Sequence, residues 1–214
     1  MDLLLLAELL CARICHDLSG PVGAAAAGAE LFEDLGEAPD PETLGLVAGA
    51  AAGAAQRLKY FRAALGPAAS APQSSVALTE LIEGYLATQA SAASPGIVLS
   101  WPGAPHALGG DHARLLLNLV LLAKDALPRG GRIRIATDGG APRVTAQGEP
   151  AALTEEARQV LVEARPPTGP RGAQAELTRL LAERVDAGLQ VAVTPEGLLL
   201  GACPRGGTAP RSDG

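Results

Sequence analysis

The run Leu3-Leu4-Leu5-Leu6-Ala7-Glu8-Leu9-Leu10-Cys11-Ala12-Arg13-Ile14-Cys15-His16-Asp17-Leu18-Ser19-Gly20-Pro21-Val22 sets the architecture of the first third of the chain. Leu3, Ala7, Leu10, Ile14, Leu18 and Val22 recur at spacings of three and four, and Ala25, Ala29 and Phe32 continue the series. That spacing predicts one apolar seam along about eight helical turns. Turn chemistry follows at Gly36-Glu37-Ala38-Pro39-Asp40-Pro41. A second seam, Leu44, Val47, Ala51, Ala54, Leu58, Phe61 and Leu65, keeps a heptad pattern until Gly66-Pro67 stops it. Residues 1–66 thus read as a helical hairpin. Its small residues at Ala48 to Ala55 bury little area at about 25 cal/mol per Å². Pairing with a second copy, as a dimeric four-helix bundle, is the expected remedy.

Outward from the hairpin, Pro67 to Ser75 reads as a linker. Helices are then expected at about 79–92, 111–127 (with Asp111 as N-cap), 154–164 and 172–187. Strands are expected at 97–101, 132–137, 142–147, 189–193 and 198–202, the last two joined by the turn Thr194-Pro195-Glu196-Gly197. Mixed helices and antiparallel strands over 76–203 predict an α/β sandwich, so the fold class is α plus α/β. Residues 204–214 read as a disordered tail.

Composition narrows the function. The 17 Lys and Arg against 23 Asp and Glu leave a net charge of −6, which argues against nucleic-acid binding. Alanine is about a fifth of the 214 residues and only 2% are aromatic, so the core must come from Leu, Val and close helix contacts. Three Cys form no disulfide framework, and no targeting or membrane-spanning run is visible, so a cytoplasmic protein is expected.

On a helical wheel His16 falls opposite the seam, sharing its face with Arg13, Ser19, Gly20 and Gly23, with Ala27 further along. A histidine ringed by small side chains is open to a partner. Pro21 withholds the backbone donor that the carbonyl of Asp17 would otherwise receive. Cys11, Cys15 and His16 lie near one another but offer no fourth ligand, and buried small hydrophobes suit the two cysteines better than a metal site.

The segment Cys15-His16-Asp17-Leu18-Ser19-Gly20-Pro21-Val22 resembles the H-box of two-component phosphotransfer proteins: a His, an acid, a few residues, a Pro and a small apolar residue. Asn118-Leu119, Ala123 and Gly130-Gly131 resemble the N-box region of histidine-kinase ATP-binding domains. There Leu122 stands where that family carries its magnesium-binding Asn, and a hydrocarbon cannot serve a hard cation. Ala146-Gln147-Gly148-Glu149-Pro150 replaces the adenine-reading carboxylate segment, and Arg165 to Ala173 carries three prolines in place of a Gly-rich lid. A kinase-like layout with its nucleotide site erased is similar to the ChpT-type histidine phosphotransferases of bacterial cell-cycle phosphorelays. The resemblance covers roughly residues 5–203. It implies a homodimer without ATP or cofactor, relaying phosphoryl groups from receiver to receiver through a phosphohistidine, with a hybrid histidine kinase and response-regulator receiver domains as partners. His16 matches the phosphoacceptor and Asp17 the neighbouring acid.

Phosphoryl transfer needs an aligned, neutral acceptor nitrogen, which imidazole provides at cytosolic pH. The Mg²⁺ that assists is expected only in the partner receiver. Asp17 is not expected to face the ring, since i and i+1 do not share a helix face, and is left to contact the receiver or a water. Arg13 is placed either to compensate phosphate charge or as a solvated surface residue. Rival readings are a divergent ATP-dependent histidine kinase, opposed by Leu122 and the missing lid, and a non-catalytic dimeric scaffold. Partner contacts are expected at Arg13, Ser19, Gly20, Gly23 and Ala27.

Overall fold

The computed structural model describes residues 2–35, 40–90, 96–138 and 141–204, without the side chains at 33–35, 138 and 204. Helix α1 (Leu3–Leu35) begins where Asp2 Oδ1 accepts from the Leu4 amide at 2.9 Å, and it runs unbroken through Pro21. Helix α2 (Pro41–Leu65) starts on Asp40, whose Oδ1 accepts from the Glu42 and Thr43 amides, both at 2.9 Å. Pro41 has no amide to leave unpaired in that first turn. Gly66 ends the helix as expected. The two helices approach so closely that a Cβ at Gly28 would collide with the Val47 side chain. Within one chain the seam is only half covered: Leu3, Val22, Leu44 and Leu58 remain largely exposed.

The expected linker is shorter than its composition suggests. Strand β1 (Gln73–Ser74) pairs antiparallel with β3 (Ala107–Leu108), and α3 (Ser75–Ala87) starts at once, with Ser74 accepting from the Val76 amide. Small polar residues read equally as linker and as N-cap, and here the cap wins. The sheet domain continues with β2 (Ile97–Ser100), α4 (Gly110–Asp125), β4 (Gly131–Asp138), β5 (Ala141–Gln147), α5 (Glu155–Leu161), α6 (Pro170–Arg184), β6 (Ala187–Thr194) and β7 (Gly197–Pro204). Asp111 is not the N-cap of α4. Gly109 holds that position without a side-chain bond, and Asp111 instead pairs with Arg184 Nε at 3.3 Å. Helix α6 ends earlier than its polar pattern predicts, because Asp186 takes a positive φ of 55° and turns the chain into β6. Pro204, the first residue of the expected 204–214 tail, instead closes β7, and 205–214 lie outside the described residues, as do 36–39 of the interhelical turn.

The five strands order as β2-β4-β5-β7-β6. Only β2 and β4 run parallel, joined by α4 as the crossover, while the rest are antiparallel. At the β6–β7 turn Gly197 has φ 129°, and a Cβ there would strike the Ala146 carbonyl. One sheet face turns inward with Ile133, Ile135, Val144, Ala146, Leu198 and Leu200, and α4 lies across it, buried from Leu115 to Ala123. This is an α+β fold, a helical hairpin with an α/β sandwich.

The hairpin is not a separate packing unit at its C-terminal end. Tyr60, Phe61 and Ala64 enter the same core as α3 and α4. Tyr60 stacks on Tyr85 with ring centroids 4.1 Å apart, and its hydroxyl donates to the Leu117 carbonyl at 2.8 Å. Each buried ring is worth about 1.5–3 kcal/mol relative to exposure. Where the sequence alone promised a Leu and Val core, three of the few aromatics gather at this one junction. No helix among the described residues is long and apolar enough to cross a membrane.

Candidate functional site

The middle of α1 presents His16 with 81% of its side chain in solvent. Its Nδ1 lies 3.0 Å from Asp17 Oδ1. The neighbouring acid therefore does meet the ring, contrary to the helical-spacing expectation. A short carboxylate can lean back along the helix surface and reach an adjacent imidazole that stands clear of it. A carboxylate only accepts, so Nδ1 is the donor here, and in the neutral ring the lone pair then lies on Nε2.

Beside His16 a cleft of about 300 Å³ opens between α1 and the sheet domain, lined among others by Arg13, Asp17, Lys124, Asp125 and Arg171. Arg13 corrects the helical wheel. It is buried rather than open to a partner, and its Nη2 lies 2.7 Å from Asp125 Oδ2 at the end of α4, the two side chains being 4% and 5% exposed. The wheel registers only the hairpin's own seam, so it cannot foresee that a second domain covers this face. Burial pulls the Arg13 pKa down, but Asp125, Tyr85 and Asp17 together more than offset it and hold the guanidinium above its usual range. Burial likewise favours the neutral Asp125 acid, yet Arg13 and Lys124 keep its pKa below the ordinary value. Arg13 Nε also stands 3.8 Å from Asp17 Oδ2. Charges therefore alternate from the sheet domain to the foot of the imidazole: Asp125, Arg13, Asp17.

The remaining residues expected at a partner surface stay open. Ser19, Gly20, Gly23 and Ala27 are exposed, and a Cβ at either glycine would meet nothing. The Ser19 hydroxyl donates to the Cys15 carbonyl at 2.6 Å. Cys11 and Cys15 are exposed rather than buried, which removes the packing role expected for them. No group of three or more potential metal ligands occurs among the described residues.

Asn118 is a core anchor. Its Nδ2 donates to the carbonyls of Ala64 at 2.7 Å and Arg114 at 2.8 Å, and its Oδ1 accepts from Gln174 at 2.5 Å. Leu122, one helical turn on, is buried in the same core. Sequence reading missed Asp125, Lys124, Arg171 and Arg57. Arg57 of α2 donates from Nη1 to the Asp17 carbonyl at 2.7 Å, and the only trace of it in the sequence is that Pro21 leaves this carbonyl without a backbone donor.

Residues 78–197 match the family model described as histidine phosphotransferase C-terminal domain. Protein phosphotransferase ChpT of Brucella abortus (strain 2308) is 32% identical over 203 residues, covering 92% of this chain and 94% of that protein. The chain belongs to the histidine phosphotransferase family. A solved bacterial phosphotransferase superposes with a TM-score of 0.77 and 27% identity, covering 94% of this chain and 97% of that one. The segment matched by the histidine phosphotransferase model is the sheet domain, and His16 lies outside it, on the hairpin that the longer alignments also span.

Proposed function

We propose that the chain relays phosphoryl groups between aspartates of response-regulator receiver domains through a phosphohistidine at His16, without ATP. The observation that carries this is the His16 ring, exposed at 81%, with Nδ1 occupied by Asp17 and Nε2 free. The Nε2 lone pair attacks phosphorus of a receiver's aspartyl phosphate. The bond from phosphorus to the aspartate oxygen breaks, and the carboxylate leaves with the electron pair. The ring then carries added positive charge while Nδ1 keeps its proton and donates it to Asp17, whose negative charge offsets that of the ring. Transfer onward to a second receiver is the reverse step. Mg²⁺ belongs to the receiver, and this chain supplies acceptor and orientation.

Independence from ATP is supported by the burial of Leu122 and by the state of the α6 N-terminus. There Glu156 Oε2 accepts from the Arg171 amide at 3.0 Å and the Gly172 amide at 3.1 Å, so a carboxylate already takes the donors a phosphate would use. The receiver docks across the middle of α1 over Ser19, Gly20, Gly23 and Ala27. Arg13 is not part of that surface. The protein acts in the cytoplasm as a homodimer, with a hybrid histidine kinase among its partners. The dimer is supported by an apolar groove of about 550 Å³ along the hairpin, lined by Ile14, Leu58 and Phe61, with Leu58 54% exposed in the single chain.

The test is to incubate the protein with a receiver carrying radiolabelled aspartyl phosphate. Acid-labile label should appear on the wild type and be lost in His16→Ala. Label on His16→Ala, or labelling of the wild type from ATP alone, would overturn the reading.

A further inference from the structure

Every internal proline deprives a helix of one backbone donor, and in α1 the deprived acceptor is the carbonyl of Asp17, four residues before Pro21. That carbonyl belongs to the turn that carries His16. A buried or half-buried carbonyl without a donor is costly, so a replacement is required. The replacement comes from α2: Arg57 Nη1 donates to the Asp17 carbonyl at 2.7 Å. The same guanidinium donates through Nη2 to the Thr88 carbonyl at 2.6 Å and through Nε to Thr88 Oγ1 at 3.1 Å. Thr88 is the C-cap of α3, and its hydroxyl donates in turn to the Tyr85 carbonyl at 2.7 Å.

We propose that Arg57 is a positioning residue for transfer at His16, an inference that rests on the phosphotransfer reading above. Fixing the Asp17 carbonyl fixes the peptide plane that follows Asp17, and with it the direction in which the Asp17 side chain leaves the backbone. The carboxylate is thereby kept on Nδ1, and Nε2 keeps its aim. Arg57 touches neither the imidazole nor the incoming phosphoryl group. It locks the His16 turn to α2 and to the end of α3, so the proline's missing bond becomes a joint between three helices. The planar fork is what makes this possible, since a lysine has one ammonium for acceptors that lie in different directions.

The test compares single-turnover transfer from a phosphorylated receiver in wild type, Arg57→Met, Pro21→Ala and the double variant, with kcat and KM resolved. Arg57→Met should slow transfer roughly tenfold at saturating receiver with KM unchanged, as small misplacements of a reacting group do. Pro21→Ala restores the backbone donor to Asp17, so adding Arg57→Met in that background should cost less than about threefold. Equal losses in both backgrounds, a change confined to KM, or no loss would overturn the proposal. If Arg57→Met fails to fold, Arg57→Lys takes its place, read by the ¹³C carbonyl resonance of Asp17. That resonance should move in Arg57→Lys and return toward the wild-type position when Pro21→Ala is added, and a resonance unmoved by Arg57→Lys overturns the contact. Wild type that takes no label from the receiver refutes the phosphotransfer reading itself. Labelled wild type with an equally fast Arg57→Met refutes only the role of Arg57.

Discussion

Asp125→Asn removes a charge while keeping the shape of the side chain that grips α1 from the sheet domain. Asp125 Oδ2 lies 2.7 Å from Arg13 Nη2, and neither side chain is more than 5% exposed. Deleting one partner of a buried ion pair costs about 3–5 kcal/mol, because the survivor stays charged and out of water. Asp17 remains 3.8 Å from Arg13 Nε as a second carboxylate, which places the expected loss near the lower end, about 3 kcal/mol. Arg171, at 4.0 Å from Asp125, is more than half exposed and adds little, while Lys124, at 3.2 Å, is 21% exposed and shares in the loss. For a chain of this size such a loss lowers Tm by roughly 6–12 °C. Urea unfolding followed by circular dichroism should show the midpoint falling with an unchanged slope. Replacing both partners, Arg13→Met with Asp125→Leu, should recover most of the loss. A single variant within about 0.5 kcal/mol of wild type would refute the assignment of Arg13 and Asp125 as a buried pair. The acid limb gives a second check. Burial raises the Asp125 pKa, and Arg13 with Lys124 lowers it by more, leaving it below the ordinary 3.8. The unfolded chain then takes the proton first, so this stabilisation is complete above pH 3.8 and drains as pH falls through the folded value. Asp125→Asn should flatten that part of the stability profile.

Leu58→Asp, at a position 54% exposed in the single chain, should leave the fold intact and convert the proposed homodimer to monomers in sedimentation at micromolar concentration. A variant that still sediments as a dimer would move the interface elsewhere. Leu122→Asn places an amide in the buried core of α4 and should lower stability by about 1–3 kcal/mol without conferring ATP binding by calorimetry. Saturable nucleotide binding by that variant would show that one substitution alone erased the site.

What the sequence disclosed was local, and what it hid was between domains. The seams of α1 and α2, the stop at Gly66 and the exposure of His16 follow from helical period and punctuation, which depend on near neighbours. Arg13 was misplaced because its partner Asp125 sits at the far end of α4, and no wheel drawn for one helix contains it. The start of α3 was missed because Ser74 and Ser75 look the same in a linker and in a cap. Pro21 announced an unpaired carbonyl at Asp17, but naming its donor required knowing that Arg57 of α2 passes beside that turn. The junction of hairpin and sheet domain was hidden for a similar reason, since Tyr60 and Phe61 read as ordinary seam residues until Tyr85 is brought against them.

That junction holds both tyrosines of the chain, stacked on one another. Burial pushes each phenol well above its ordinary 10.0. The near-ultraviolet tyrosine band therefore reports on a single place, the seat of the hairpin on its sheet domain. An absorbance titration into alkali should show no tyrosinate through the range where free phenols ionise. Both should then appear together, at the pH where the hairpin lifts away, so the molecule carries its own optical gauge of domain docking.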